Sequence, residues 1–166
     1  MKKFVFGIVA GALIALTGMR FAMPRLMLEE RISPFDFERT IETIEANAKK
    51  GGWSVSAADR LDRKLAKHGR TIPRVALVNL CQPDYAADVL ADDASRRIAV
   101  MMPCTIAVYR KADGKTYVST MKVGLMGRLF GGKIAEVMGG PVAEDEAGFT
   151  AFLERKNNPS TPEDTP

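Results

Sequence analysis

The stretch Arg74–Leu80, RVALVNL, predicts the strand at the centre of the fold. Side chains on both of its alternations are largely apolar, which is typical of a strand covered on both faces of its sheet. It runs into Cys81-Gln82-Pro83, where the proline suits the first turn of a helix. We therefore expect a buried central strand with a helix leaving its end.

Downstream of this strand, the sequence predicts a meander. Residues 98–102 and 104–110 have strand patterns separated by Pro103, and residues 116–122 form the returning strand. The turn between them contains Gly114, which tolerates the positive φ that a tight reversal needs. The C-terminal strands should therefore be neighbours in the sheet.

Helices are predicted both before and after the central strand in the sequence. Ser33 suits an N-cap and Pro34 a first helical position, and Asp36 follows three residues after the cap. The apolar face of this first helix is formed by Phe37, Ile41, Ile44 and Ala48. The remaining predicted elements are a strand at 53–56, short helices at 59–68 and from residue 82, and a final helix at 141–155.

These elements give the order α-β-α-β-α-β-β-β-α and an α+β fold class. The prediction is a single compact domain with a small mixed sheet, a C-terminal meander, packed helices and an N-terminal membrane helix. The expected boundaries are an anchor or signal segment at 1–23, a juxtamembrane linker at 24–32, the domain at 33–156 and a disordered tail at 157–166.

An apolar run near the N-terminus follows a pair of lysines and covers residues 4–19 without a charge. As a helix it would reach roughly 24 Å at about 1.5 Å per residue. The hydrocarbon core of a bilayer needs about 30 Å. If Arg20 places its charge at the interface, residues 21–23 complete the span. We predict an uncleaved membrane anchor.

The alternative is a cleaved signal peptide, which needs small residues at −3 and −1 of the cleavage site. Here Thr17 and Met19 leave a bulky residue at −1, and Pro24 disfavours cleavage after Met23. No cysteine follows the run directly, which excludes lipoprotein processing. In both cases the lysine pair stays inside, so we expect the domain to face the periplasm or the cell exterior.

The formal net charge of +4 is concentrated beside this apolar run. Residues 1–31 hold five basic and two acidic side chains, a balance of +3, which leaves +1 for all that follows. Nucleic-acid binding needs a basic face on the folded part. The charge distribution therefore argues against a nucleic-acid partner and for a membrane one.

Two cysteines are the candidates for chemistry. Cys81 ends the central strand and Cys104 begins a later one, so we expect them in one local cluster at the rim of the sheet. Three interpretations stay open: separate buried thiols, a disulfide, or a thiol or metal site. Met102 adds a thioether, which with a thiolate suits a soft ion such as Cu(I).

Other polar motifs indicate less. His68, the one histidine, stands at a predicted helix C-terminus, where the helix dipole favours its protonated form at the surface. The run Glu144-Asp145-Glu146 is typical of solvated charges at a helix start. The glycine-punctuated apolar stretch 124–140 predicts a segmented helix covering the sheet, a mobile lid, or a surface that dips into the bilayer.

The chain resembles the domain of unknown function 302 family from about Ser33 to Leu153. The resemblance is carried by VNLCQPDYAADVL, with Cys81-Gln82-Pro83, and by RRIAVMMPCTIAVYR, with Pro103-Cys104. It implies a compact α+β domain that often forms a homodimer, with no established activity or cofactor. Residue by residue, it implies roles for Cys81, Pro83, Pro103 and Cys104, with Asn79 and Gln82 in support, Gln82 standing where the family has Asn.

Three functional hypotheses follow, of which the third is a structural dimer with no site at all. The first is an anchored, exported accessory domain that binds a small ligand, a metal or a partner at the sheet rim. The second is a thiol-dependent redox or sulfur-handling enzyme with Cys81 or Cys104 as nucleophile. A low thiol pKa would favour the enzyme, because the thiolate is the reactive form.

Overall fold

The computed structural model describes residues 26–153 of the chain, so the predicted anchor and tail lie outside the described residues. The strands are β1 (Leu28–Ile32), β2 (Ser54–Val55), β3 (Asp59–Arg60), β4 (Val75–Cys81), β5 (Cys104–Arg110) and β6 (Thr116–Met121). The helices are α1 (Phe37–Lys50), α2 (Leu61–Ala66), α3 (Pro83–Leu90), α4 (Val123–Phe130), α5 (Gly132–Gly139) and α6 (Pro141–Phe149), with a 3₁₀ helix at Arg96–Met101.

These strands form a single sheet in the order β1-β6-β5-β4-β2, with β3 also paired to β4. The predicted pairing of residues 104–110 with 116–122 is confirmed, since β5 and β6 are neighbours, but residues 98–102 do not form the first strand of the predicted meander. The predicted mixed character is wrong, because every pairing is antiparallel. Even the long connection through α3 and the 3₁₀ helix begins and ends at the same end of the sheet, so β5 runs back along β4.

The core lies between one face of this sheet and the helices. The side chains at alternate positions of β4, β5 and β6 are at most 1% exposed, namely Ala76, Val78, Leu80, Ile106, Val108 and Val118. The predicted apolar face of α1 is buried against them. Burying one such aliphatic side chain contributes about 1.5–3 kcal/mol relative to leaving it exposed. This face fixes the register of the sheet.

The other face of β4 differs from its prediction. Val75, Leu77 and Asn79 are only half-buried, so the central strand is fully covered on one face and partly covered on the other. The short helix before it contributes little cover, since none of the side chains of α2 is buried. Its first two predicted residues, Asp59 and Arg60, pair with β4 as β3 instead.

The predicted linker at 24–32 requires a correction, because Leu28–Ile32 is an edge strand of the sheet. It pairs with β6, with Leu28 opposite Met121 and Ile32 opposite Tyr117. Charged side chains are common on edge strands, where they oppose pairing with another chain. The domain therefore begins before Ser33.

Residues 98–102, predicted as a strand, belong instead to the 3₁₀ helix and the loop after it. Ile98 is 2% exposed whereas Val100 is 88% exposed, so the apolar run presents only part of its surface to the core. A strand here would also lack a partner at β4, whose two edges are occupied by β5 and by β2 with β3.

The limits of two predicted helices also change. The first begins at Phe37 with Asp36 as its N-cap, whose carboxylate accepts a hydrogen bond from the Arg39 N–H at 3.0 Å. The hydroxyl of Ser33 is instead buried against that of Thr40, at 2.7 Å. The last helix ends at Phe149, followed by Thr150 as its C-cap. Among residues 26–153, none of the helices is both long enough and apolar enough to cross a bilayer.

Candidate functional site

The candidate site is an apolar cavity at the end of the sheet where β4 ends and β5 begins, which we call the cysteine end. It encloses about 50 Å³ that water can occupy, within about 480 Å³ of empty space that includes its open mouth. Its lining comes from β4 and β5, from α3, α5 and α6, and from the 3₁₀ helix. A space of this shape suits a small ligand.

Both cysteines lie at this end of the sheet and border the cavity, and their grouping as a thiol site stays a prediction. The strand register places Cys104 opposite Leu80, the residue before Cys81. Both thiols are free and both line the cavity. Cys81 is exposed at the end of β4, whereas Cys104 is half-buried on the alternation that faces the helices.

Burial raises the pKa of the Cys104 thiol to about 11, with the charges of Glu146 and Cys81 adding to the effect. At neutral pH this side chain is therefore a neutral thiol and a weak nucleophile. The cavity holds the thiol in an apolar setting and does not activate it.

Some residues of the two cysteine–proline motifs line the cavity, and others stabilise the elements around it. Met102, Gln82 and Pro103 line the cavity, and the Met102–Pro103 peptide is cis. Pro83 occupies the first turn of α3. Asn79 lies on the other face of the sheet, where its side-chain oxygen accepts a hydrogen bond from the Thr105 hydroxyl at 2.9 Å.

Gln82 has an identifiable structural role. Its side-chain oxygen accepts hydrogen bonds from the backbone N–H groups of Asp84 at 2.6 Å and Tyr85 at 3.2 Å, so it caps α3. An N-cap side-chain oxygen satisfies backbone donors that have no partner within the helix. The Gln82 amide oxygen therefore stabilises the first turn of α3.

Aromatic residues that the sequence analysis did not single out form another wall. Trp53 is 4% exposed and lies edge-on to Tyr85, with 6.1 Å between their ring centroids. The Trp53 indole N–H donates to the carboxylate of Asp145 at 3.0 Å. Because Trp53 is the one tryptophan of the chain, its rarity was the available signal for it.

A half-buried carboxyl lies close enough to Cys104 to influence it. Glu146, on α6, has its pKa raised to about 7 by burial, partly offset by a hydrogen bond with Thr120 and by the charge of Arg31. Arg31 itself donates to the Thr150 hydroxyl at 2.6 Å. The interpretation of this acidic run as solvated charge is therefore wrong for Glu146 and Asp145, since α6 turns both toward the protein.

A metal site remains a prediction. Two thiols and the thioether of Met102 share the cavity, and these are soft ligands. Within residues 26–153, no three His, Cys, Asp or Glu side chains gather as a metal-binding group. His68 lies in an exposed turn after α2 and does not line the cavity.

The fold and the cavity define a class: a single-domain α+β protein with one antiparallel sheet, helices on one face and an apolar cavity at the rim. The chain belongs to the family described as Domain of unknown function DUF302, whose model matches residues 29–147. This confirms the resemblance, and the match includes most of β1.

One solved structure of similar fold is the crystal structure of an uncharacterised conserved protein DUF302 from Bacillus stearothermophilus. It is 20% identical in sequence, with a TM-score of 0.68, and the match covers 78% of this chain and 99% of that one. At this identity the likeness shows the fold alone. No curated protein matches the chain.

Proposed function

We propose that this chain is a membrane-anchored accessory module that binds a small apolar ligand in the cavity at the cysteine end of its sheet. The observation that carries the proposal is the apolar lining itself. Trp53, Val89 and Ile98 are each at most 4% exposed, yet all of them border empty space. An apolar lining offers few hydrogen-bond partners to water, so the cavity favours an apolar guest.

The state of Cys104 supports binding over catalysis. With a pKa of about 11, its thiol carries almost no thiolate at neutral pH. A catalytic cysteine needs the opposite shift, produced by a nearby cation or a helix N-terminus. The charge near this thiol comes from Glu146, which disfavours the thiolate further.

A thiol-dependent enzyme remains the alternative, and the exposure of Cys81 favours that residue as its nucleophile. Cys81 is exposed and is also one of the residues that line the cavity. The test is turnover of a small disulfide by the full chain. Loss of turnover in Cys81→Ser, with turnover kept in Cys104→Ser, would replace the binding proposal with this one.

The anchor proposal rests on the uncharged apolar run at residues 4–19 that follows a pair of lysines. Leu28 begins β1 at the cysteine end, a few residues after the apolar N-terminal segment. A reporter fused after Pro166 should be active outside the cytoplasm. The full chain should also stay in the membrane fraction after a carbonate wash, whereas release would indicate a cleaved signal peptide.

Trp53 provides the test of ligand binding, because it is the one tryptophan and it lines the cavity. The full chain in lipid nanodiscs would be titrated with short n-alkanols while the Trp53 emission is recorded. We expect a saturable change. Ala86, on the cavity side of α3, is the position at which to fill the space, as Ala86→Phe.

The matched control is Ala87→Phe, which adds the same ring on the exposed side of the same helix. Ala86→Phe should weaken the response by at least about tenfold, since the guest and the ring compete for one space. Ala87→Phe should leave the response unchanged. An equal response in both variants would show that the alkanols act elsewhere, and the cavity proposal would fail.

A further inference from the structure

A second cleft lies at the end of the sheet remote from the cavity, between the β5–β6 turn and the start of α1. It holds about 470 Å³ that water can occupy and is open to solvent. Its floor includes the buried side chains of Phe37 and Thr116. Three cationic side chains, Arg74, Arg110 and Lys115, stand around it.

These three cations are weakly neutralised within the part of the chain that the structure describes. Arg74 has one carboxylate, Glu38, at 3.8 Å. Neither Arg110 nor Lys115 has a carboxylate oxygen within 4.0 Å among residues 26–153. Arg110 donates one N–H to the Gly114 carbonyl at 2.8 Å, which holds the guanidinium beside the turn. Its other donors remain available to a ligand.

The acidic groups at this cleft are already engaged. The carboxylate of Asp36 accepts the Arg39 N–H as the cap of α1. Asp113, in the turn, accepts the Tyr117 hydroxyl at 2.7 Å and the Lys115 N–H at 3.0 Å. These hydrogen bonds hold the pKa of the Asp113 carboxyl below its usual range.

Nearby sequence adds to the positive potential. Residues 60–74 contain six arginines and lysines against one acid, Asp62, and of these cations Arg60 and Lys64 are paired with the carboxylates of Glu38, Asp62 and Asp59. They lead directly into β4 at the end of the sheet that holds the cleft. A concentration of one charge sign beside a concave surface raises the local concentration of counter-ions.

We propose that this cleft binds the phosphate-type oxyanion of a small soluble ligand, with Arg74 and Arg110 as the paired binding groups and Lys115 as a third cation. A guanidinium presents a planar fork of N–H donors that matches two oxygens of such a group. Phe35, which also lines the cleft, offers an apolar surface to the rest of the ligand. The site is separate from the cavity and does not depend on its function.

A soluble source is favoured over a lipid headgroup by the geometry of the sheet. β1 begins at the cysteine end and reaches the cleft only at Ile32. The apolar N-terminal segment therefore joins the domain at the end remote from the cleft.

The test is calorimetric titration of inorganic pyrophosphate into the full chain in phosphatidylcholine nanodiscs. Arg110→Gln and Arg74→Gln should each weaken binding by about tenfold, the usual effect of losing a charge-assisted hydrogen bond. Arg110→Lys keeps the charge but removes the fork, so its binding should fall between those of the wild type and Arg110→Gln. The matched control is Arg97→Gln, an exposed arginine in the 3₁₀ helix.

Several results would overturn the proposal. One is the absence of binding at millimolar pyrophosphate. Another is a loss in Arg97→Gln equal to that in Arg110→Gln, which would indicate non-specific charge attraction. A third is binding to phosphatidic-acid vesicles that depends on Arg110 while pyrophosphate does not bind, since this would assign the cleft to a lipid headgroup.

Discussion

Burial shifts two neighbouring residues of the cysteine end toward their neutral forms. It raises the pKa of the Cys104 thiol to about 11 and that of the Glu146 carboxyl to about 7. Each charge would also disfavour the other. The apolar character of this end therefore extends to the ionisable groups that border it.

The thiols should differ in reactivity. With a pKa of about 11, Cys104 has a thiolate fraction at pH 8 about a hundredfold below that of a thiol with the usual value of 9.0. Iodoacetamide should therefore modify the exposed Cys81 first. Peptide mapping by mass spectrometry after timed alkylation would measure both rates. Faster modification at Cys104 would contradict the burial of its thiol.

Glu146 should make stability depend on pH. Its pKa rises from 4.5 to about 7 on folding, so between these values the folded protein binds the proton more tightly than the unfolded chain. The free energy of unfolding should therefore fall as the pH rises through this window and level off above it. Glu146→Gln should remove that fall, with Glu144→Gln on the same helix as the control.

The acidic side chains with lowered pKa values do not change the free energy of unfolding in the pH window assigned to Glu146. The pKa values of the Asp62, Asp92 and Asp113 carboxyls are lowered, so their contributions are lost only as the pH drops below about 4. Urea unfolding of the full chain at a series of pH values would give the slope. A slope that persists in Glu146→Gln would show that another group is responsible.

At the scale of elements, α4 and α5 pack closely because Gly127 has no side chain. A Cβ added there would lie 2.9 Å from Met138 Cβ and 3.0 Å from the backbone N of Gly139. Gly127→Ala should therefore destabilise the protein by about 1–3 kcal/mol, since the backbone of α5 must move. Thermal unfolding of the full chain would measure the loss.

The control for this substitution is Gly148→Ala in α6. A Cβ at Gly148 meets nothing within 4 Å. Alanine there should raise stability by about 0.5–1 kcal/mol, because glycine disfavours helices. If both substitutions changed stability alike, the contact between α4 and α5 would not be the cause.

Elements whose pattern reflects local burial were predictable from the sequence, and elements defined by their partners were not. The α1 face from Phe37 to Ala48 and the β5–β6 turn follow from periodicity and from Gly114. Strand β1 could not be inferred, because LEERI gains its strand character only from β6. The 3₁₀ helix was not predicted, for the converse reason. Residues 98–102 have the apolar pattern of a strand, but no strand of the sheet lies beside them to pair with.

The same distinction applies to the candidate site, where features set by the local sequence were predictable and features set by tertiary packing were not. Cys81 and Cys104 were predicted at one rim of the sheet because both stand at strand ends, and the register of β4 with β5 places both residues at that rim. Trp53 and Glu146 are distant in sequence from both cysteines, and only tertiary packing brings them to this end. The pKa of the Glu146 carboxyl depends on that packing. Its acidic neighbours in the sequence suggest a solvated charge instead.

At the scale of the whole molecule, the two ends of the sheet differ in character. The cysteine end carries the apolar cavity, and the remote end carries the cationic cleft. Exposed apolar side chains also occur where β1 begins, since Leu26 and Leu28 are each 50% exposed. An anchor preceding Leu26 would hold these side chains against the membrane surface, where their exposure is less costly.

If the chain is anchored as proposed, this polarity predicts its orientation, with the cysteine end toward the lipid and the cationic cleft away from it. The expectation follows because few residues separate the apolar run from β1, so the domain has little freedom to turn over. A bimane label on Cys81, in a Cys104→Ala background, should be quenched by lipids brominated near the headgroup. The same label at the remote end, placed by Lys115→Cys in a chain with both native cysteines changed to Ala, should be quenched less. Equal quenching at the two positions would mean that the domain tumbles freely on its anchor, and stronger quenching at position 115 would reverse the proposed orientation.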